Sequence, residues 1–139
     1  MNNTNTENNY KIFVIEDNRT EGMLLRLSLT EMENIEIVIF QDAESMIKRL
    51  HENPVIVIAD LILPNMSGFD LIKQIRAINE NIRVIVVSAQ RNIDLIAELQ
   101  AEGIYNYLVK SEACLNYLKH VIEDLLIVIQ HKQKIVKND

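Results

Sequence analysis

Two segments of this chain have no polar residue to offer water on either face. Residues 55–59 read Val-Ile-Val-Ile-Ala and residues 84–87 read Val-Ile-Val-Val. A strand with one wet face alternates apolar and polar residues, whereas a strand that is apolar throughout is covered on both sides. Three more β-branched runs, at residues 11–15, 35–40 and 105–109, belong to the same series. Between and after them lie stretches with helical periodicity at 20–31, 43–51, 69–77, 93–102 and 112–134. Five β–α repeats of this kind predict an α/β fold, with a doubly wound parallel sheet and helices on both faces. Right-handed crossovers leave few topologies open.

The punctuation agrees. Asp42 precedes the second helical stretch as an N-cap, and Gly103 follows the fourth as a C-terminal stop. Pro64, Asn65 and Gly68 break the chain between the third strand and third helix. The 139 residues suffice for one domain, expected over residues 10–130. A polar, Asn-rich tail is expected at residues 1–9 and a C-terminal helical extension or tail at 131–139.

Composition removes several classes of function. The net charge of −6 lacks the basic footprint of a nucleic-acid-binding module. Trp is absent and aromatics make up 5%, so a stacking platform for bases is not expected either. No apolar run approaches the roughly 20 residues a membrane span needs. The first residues have neither the basic start nor the apolar stretch of a secretory signal. A single cysteine, Cys114, fits a reducing, cytoplasmic setting. The three histidines and this cysteine show no zinc-ligand spacing.

In a doubly wound sheet, ligands bind beyond the carboxyl ends of the strands. The first strand runs into Glu16 and Asp17, the third into Asp60, the fourth into Ser88 and Ala89, and the fifth into Lys110. Carboxylates crowded at one edge repel, by roughly 4 kcal/mol per pair at about 4 Å and an effective dielectric near 20. Their pKa values rise or a cation neutralises them. An all-oxygen site suits Mg²⁺ completed by water and a phosphate oxygen. With an ammonium and a hydroxyl beside it, such a site has what phosphoryl transfer requires, and a carboxylate can itself accept the phosphoryl group.

These residues carry a resemblance. Residues 14–18 (Val-Ile-Glu-Asp-Asn), 59–68 (Ala-Asp-Leu-Ile-Leu-Pro-Asn-Met-Ser-Gly), 86–89 (Val-Val-Ser-Ala) and 107–110 (Tyr-Leu-Val-Lys) occur in the order and spacing of response regulator receiver domains. From about residue 10 to residue 129 the chain resembles this family of two-component signalling proteins. The resemblance implies a flavodoxin-like five-stranded parallel sheet of order 2-1-3-4-5. It implies that Asp60 accepts a phosphoryl group from a histidine kinase or a histidine phosphotransfer protein, with Mg²⁺ bound. Asp17 then resembles a direct metal ligand, Glu16 a ligand acting through water, and Ile62 a ligand through its backbone carbonyl, with Asp60 completing the set. Ser88 resembles the hydroxyl that turns toward the phosphoryl group, Lys110 the amine that pairs with it, and Tyr107 the aromatic that swings inward in response. The family does not act as an enzyme on other substrates; it catalyses its own phosphorylation and dephosphorylation.

Two positions depart from the family pattern. Ser111 stands where most members have a proline, and Ile62 borders the path by which water reaches the phosphoryl group, where a bulky apolar side chain is expected to slow its loss. With about ten residues after the fold, output is expected through a protein target or onward relay rather than DNA. The last helix has a wide apolar arc formed by Leu115, Leu118, Val121, Ile122, Leu125, Leu126, Val128 and Ile129, with Ile127 outside it. That arc fits either a broad buried face or a homodimer surface built from the fourth helix, fifth strand and fifth helix. The rival of a different class is a receiver-like binding module that works without phosphorylation, which Ser111 alone favours. An aspartyl phosphatase would have a second Asp at position 62, and a flavin carrier would have a phosphate-cradling loop where Glu16-Asp17-Asn18-Arg19 stands.

Overall fold

The computed structural model describes residues 9–61 and 66–138, with side chains through residue 135. Residues 1–8 of the tail expected at 1–9, together with Ile62, Pro64 and Asn65, lie outside the described residues. The strands are Tyr10–Ile15 (β1), Ile35–Phe40 (β2), Ile56–Ala59 (β3), Arg83–Ser88 (β4) and Asn106–Val109 (β5). They form one parallel sheet of order β2-β1-β3-β4-β5. The helices are Arg19–Leu29 (α1), Ala43–Ile47 (α2), Gly68–Ile78 (α3), Ile93–Ala101 (α4) and Cys114–Asn138 (α5).

Side chains on a strand alternate between faces, and the central strands use both. Ile12, Val14, Ile56, Ile58, Ile85 and Val87 pack against α1 and α5 through Leu25, Leu29, Leu118, Ile122 and Leu125. Phe13, Ile15, Val57, Ala59, Val84 and Val86 pack against α2, α3 and α4 through Met46, Leu71, Ile72, Ile75 and Leu99. Each large side chain covered in this way contributes roughly 1.5–3 kcal/mol of transfer free energy. This two-sided burial is why residues 55–59 and 84–87 have no polar positions. β2 lies at the sheet edge and is only partly covered.

Four helices begin on a side-chain cap. Asn18, Asp42, Ser67 and Asn92 accept hydrogen bonds from the backbone N–H groups of Glu21, Ser45, Asp70 and Leu95. A cap of this kind satisfies an N–H that has no partner within the helix. Gly103 ends the turn after α4 at a φ of 97°, and an added Cβ there would sit 2.9 Å from the Arg76 guanidinium. At the start of α3, a Cβ on Gly68 would meet the Leu61 backbone at 2.7 Å.

The second helical stretch is shorter than its periodicity predicts. It is α-helical only over Ala43–Ile47, then tightens to a 3-10 turn at Leu50–Glu52. Pro54 disfavours the α conformation at the residue before it. Asn53 adopts a left-handed conformation instead, with a φ of 60°. The last helix runs to Asn138, whereas its deepest stripe of buried residues stops at Ile129. Val128, expected within that apolar arc, is 44% exposed, and Ile127 is 63% exposed. Among the described residues, no helix is long and apolar enough to cross a membrane.

Candidate functional site

Register decides which side chains meet at the carboxyl edge. Ile15 and Ala59 are partners on β1 and β3, so Glu16 and Asp60 leave the sheet side by side. Ser88 and Val109 are partners on β4 and β5, and Lys110 follows one residue later. Backbone bonds fix these exits. The Lys110 N–H donates to the Ser88 carbonyl at 2.9 Å and the Glu16 N–H to the Phe40 carbonyl at 2.9 Å.

Lys110 is the hub of the site. Its Nζ lies 2.7 Å from Asp60 Oδ2, 2.7 Å from Glu21 Oε2 and 3.5 Å from Glu16 Oε1. Glu16 and Asp60 are buried, and Glu21 stands at the rim with its side chain 46% exposed. Carboxylate oxygens of these three acids lie within 4.8 Å of one another. Among the described residues, one ammonium therefore serves three carboxylates, and negative charge is in excess there.

The titration of the groups reflects burial first and their mutual charges second. Burial pushes Glu16 up to about 7, and the neighbouring Asp60 and Glu21 add to the shift against the pull of Lys110 and the Asn18 N–H. The hydrogen bond from Lys110 holds Glu21 below its ordinary value. Burial works against the charge of Lys110, but the hydrogen bonds to Asp60 and Glu21 outweigh it and raise the amine. An oxygen-only donor set with surplus negative charge fits a hard divalent cation such as Mg²⁺ better than a softer transition metal.

The structure thus brings together Glu16, Asp60 and Lys110 from the residues expected at the site. Asp17 is exposed and stands outside the group of three acids. Ser88 is fully buried, and its Oγ accepts a hydrogen bond from the Gln90 N–H at 3.2 Å. Tyr107 is half-buried, and its hydroxyl donates to the Gln90 carbonyl at 2.7 Å. Gln90 consequently joins Ser88 and Tyr107 through its own peptide groups. Ile62 lies outside the described residues. All peptide bonds among the described residues are trans, and the Ser111 carbonyl accepts the Cys114 N–H at the start of α5.

Sequence reasoning missed Glu21 and Gln90. Asn18 and Glu21 have the spacing of a helix capping box, in which the acid reaches back to the cap residue's N–H. Here Glu16 Oε2 accepts the Asn18 N–H at 3.4 Å, and Glu21 turns to Lys110 instead. Only the tertiary fold shows that diversion. Gln90 acts through its backbone, so its side-chain identity carries no signal.

The fold and its edge define a doubly wound α/β protein with a lysine-bridged carboxylate centre beside the switch in strand order. The chain belongs to the response regulator receiver domain family, whose model matches residues 12–123. It is 30% identical over 106 residues to sporulation initiation phosphotransferase F of Bacillus subtilis, a match covering 73% of this chain and 82% of that protein. It is 29% identical over 134 residues to the transcriptional regulatory protein YesN of the same organism, covering 90% of this chain. The chain spans 36% of YesN's length. A solved signal receiver domain from Vibrio parahaemolyticus superposes with a TM-score of 0.83 at 23% identity, covering 91% of this chain and 97% of that one.

Proposed function

We propose that the chain accepts a phosphoryl group on Asp60 from the phosphohistidine of a kinase or phosphotransfer protein, and so switches a protein-binding surface. The observation that carries this reading is the 2.7 Å contact between Lys110 Nζ and the buried Asp60 carboxylate, with Glu16 beside both. A carboxylate oxygen of Asp60 attacks phosphorus, the P–N bond breaks, and its electron pair leaves on the imidazole nitrogen, which then takes a proton. Lys110 is placed to hold a phosphoryl oxygen as charge builds on it. Mg²⁺ held by Glu16, Asp60 and the nearby Asp17 would neutralise the surplus negative charge and orient the phosphoryl oxygens.

The reading extends outward through Ser88. If its hydroxyl turns toward the phosphoryl group, the Gln90 peptide that it holds is released. The partner of the Tyr107 hydroxyl then shifts as well. That is a two-state element biased by a local charge. Exposed apolar side chains support protein contacts on two sides. Met23, Leu24 and Leu27 stand out from α1, whose N-terminus borders the site. Ile93, Tyr105 and Tyr117 lie around α4, β5 and α5, where a downstream protein or a second copy of the chain would dock.

Incubation with acetyl phosphate and Mg²⁺ tests the reading by intact mass. The expected result is a gain of one phosphoryl group in the wild type and none in Asp60→Asn. A wild type that gains no mass, or an Asp60→Asn that gains as much, favours a binding module that works without phosphorylation.

A further inference from the structure

Glu21 stands at the rim of the site with a role that neither the motifs nor the phosphoryl-transfer reading assigns. Its backbone opens α1 as the third helical residue after the Asn18 cap. Its carboxylate is diverted from the cap, because Glu16 already accepts the Asn18 N–H. It lies instead 2.7 Å from Lys110 Nζ, a contact as short as that between Lys110 and Asp60. The contact ties β5 to α1 across the mouth of the site, between residues 89 positions apart.

We propose that Glu21 is a positioning residue that holds Lys110 in the resting protein and competes with the incoming phosphoryl group for its ammonium. This rests on the reading of Asp60 as the acceptor. Two effects follow from the geometry. The ammonium must give up or share the Glu21 carboxylate to take a phosphoryl oxygen. The Glu21 charge, within 4.8 Å of a carboxylate oxygen of Asp60, also repels an anionic donor as it approaches. Both effects slow phosphorylation and weaken the binding of phosphoryl mimics. Glu21 thus sets a threshold against small anionic donors, which a protein partner overcomes with contacts of its own.

Glu21→Gln keeps the shape and removes the charge at a rim position where the side chain is 46% exposed. The test compares wild type, Glu21→Gln and Asp60→Asn in saturating Mg²⁺, which removes any effect of the lost charge on metal occupancy. The initial rate of phosphorylation by acetyl phosphate is expected to rise about fivefold in Glu21→Gln, the scale of one half-exposed ion pair. The dissociation constant of beryllofluoride is expected to fall by a similar factor, a readout independent of turnover. A Glu21→Gln protein with wild-type or lower rate and wild-type or weaker beryllofluoride binding overturns the proposal while leaving Asp60 as acceptor. A wild type that gains no phosphoryl group, or an Asp60→Asn that gains one, overturns the underlying reading and the proposal with it.

Discussion

The two ends of this sheet solve the same electrostatic problem in opposite ways. At the amino edge, Glu52 is one acid held by two cations, with Lys11 Nζ at 2.7 Å and Arg49 Nε at 2.6 Å. The hydrogen bonds from Arg49 and Lys11 draw its carboxyl down to about 2. At the carboxyl edge, Lys110 is one cation held by three acids, and Glu16 is pushed up to about 7. The first arrangement is satisfied and needs nothing further. The second is short of positive charge and offers an oxygen donor set that a hard divalent cation would suit. A structural ion pair and a candidate reactive centre therefore differ less in residue type than in whether the charges balance.

Removing the lysine from each end should break the comparison most visibly. Lys110→Met leaves Glu16 and Asp60 buried with no ammonium, and losing one partner of a buried pair costs about 3–5 kcal/mol. Proton uptake by Glu16 limits that cost, so a loss of about 2–3 kcal/mol in metal-free urea unfolding is expected. Added Mg²⁺ should recover much of it, because a ligand that binds only the native state stabilises by mass action. The matching Lys11→Met, at a partly exposed pair that keeps Arg49, should cost under about 1 kcal/mol and show no Mg²⁺ dependence. Equal losses from both variants would show that the acid excess at the carboxyl edge has no energetic consequence.

The pH dependence of the metal-free protein comes next in size. Glu16 has an ordinary value of 4.5 and a native value of about 7. Between those pH values the native state keeps a proton that the unfolded chain has released. Stability therefore falls as pH rises through this window and levels off above it, by at most about 3 kcal/mol. Glu21 is shifted the other way, so its contribution is present above its ordinary value and is lost as pH falls through its lower native value. Urea unfolding of wild type and Glu16→Gln across pH 4.5–7 should isolate the Glu16 contribution, since the variant lacks the downward slope and the Glu21 contribution is lost only below that window. Mg²⁺ affinity should rise over the same window as Glu16 loses its proton.

How much of this was legible beforehand follows from what each residue does. The two central strands announce themselves because burial on both faces excludes polar residues from residues 55–59 and 84–87. Glu16, Asp60 and Lys110 follow from the fold, since each directly succeeds a strand and strand ends converge by register. Asp42 and Gly103 were readable because a cap and a left-handed turn each demand particular residue types. Glu21 was not readable, because its spacing from Asn18 has a sufficient local explanation and its true partner is 89 residues away. The early end of α2 escaped for the opposite reason: the apolar period continues to Leu50, but the turn that keeps Leu50 buried is 3-10 rather than α.

The smallest effect expected is at the link between the two buried-edge residues and the surface. Tyr107→Phe deletes the hydroxyl that donates to the Gln90 carbonyl at 2.7 Å and leaves the ring packed beside α4. The carbonyl is near solvent and regains a water partner, so stability should change by about 0.5 kcal/mol or less. The site chemistry lies one hydrogen bond further in, at Ser88, and phosphorylation of Asp60 by acetyl phosphate should keep its wild-type rate within about twofold. What should change is the response of the α4 and β5 amide signals to beryllofluoride, followed by ¹H–¹⁵N NMR. In wild type the shifts should extend from Ser88 through Gln90 to residue 107, and in Tyr107→Phe they should stop at Gln90. Shifts that reach α4 unchanged in the variant would mean that the surface senses the site through packing against the sheet, and that the Gln90 peptide is not the connection.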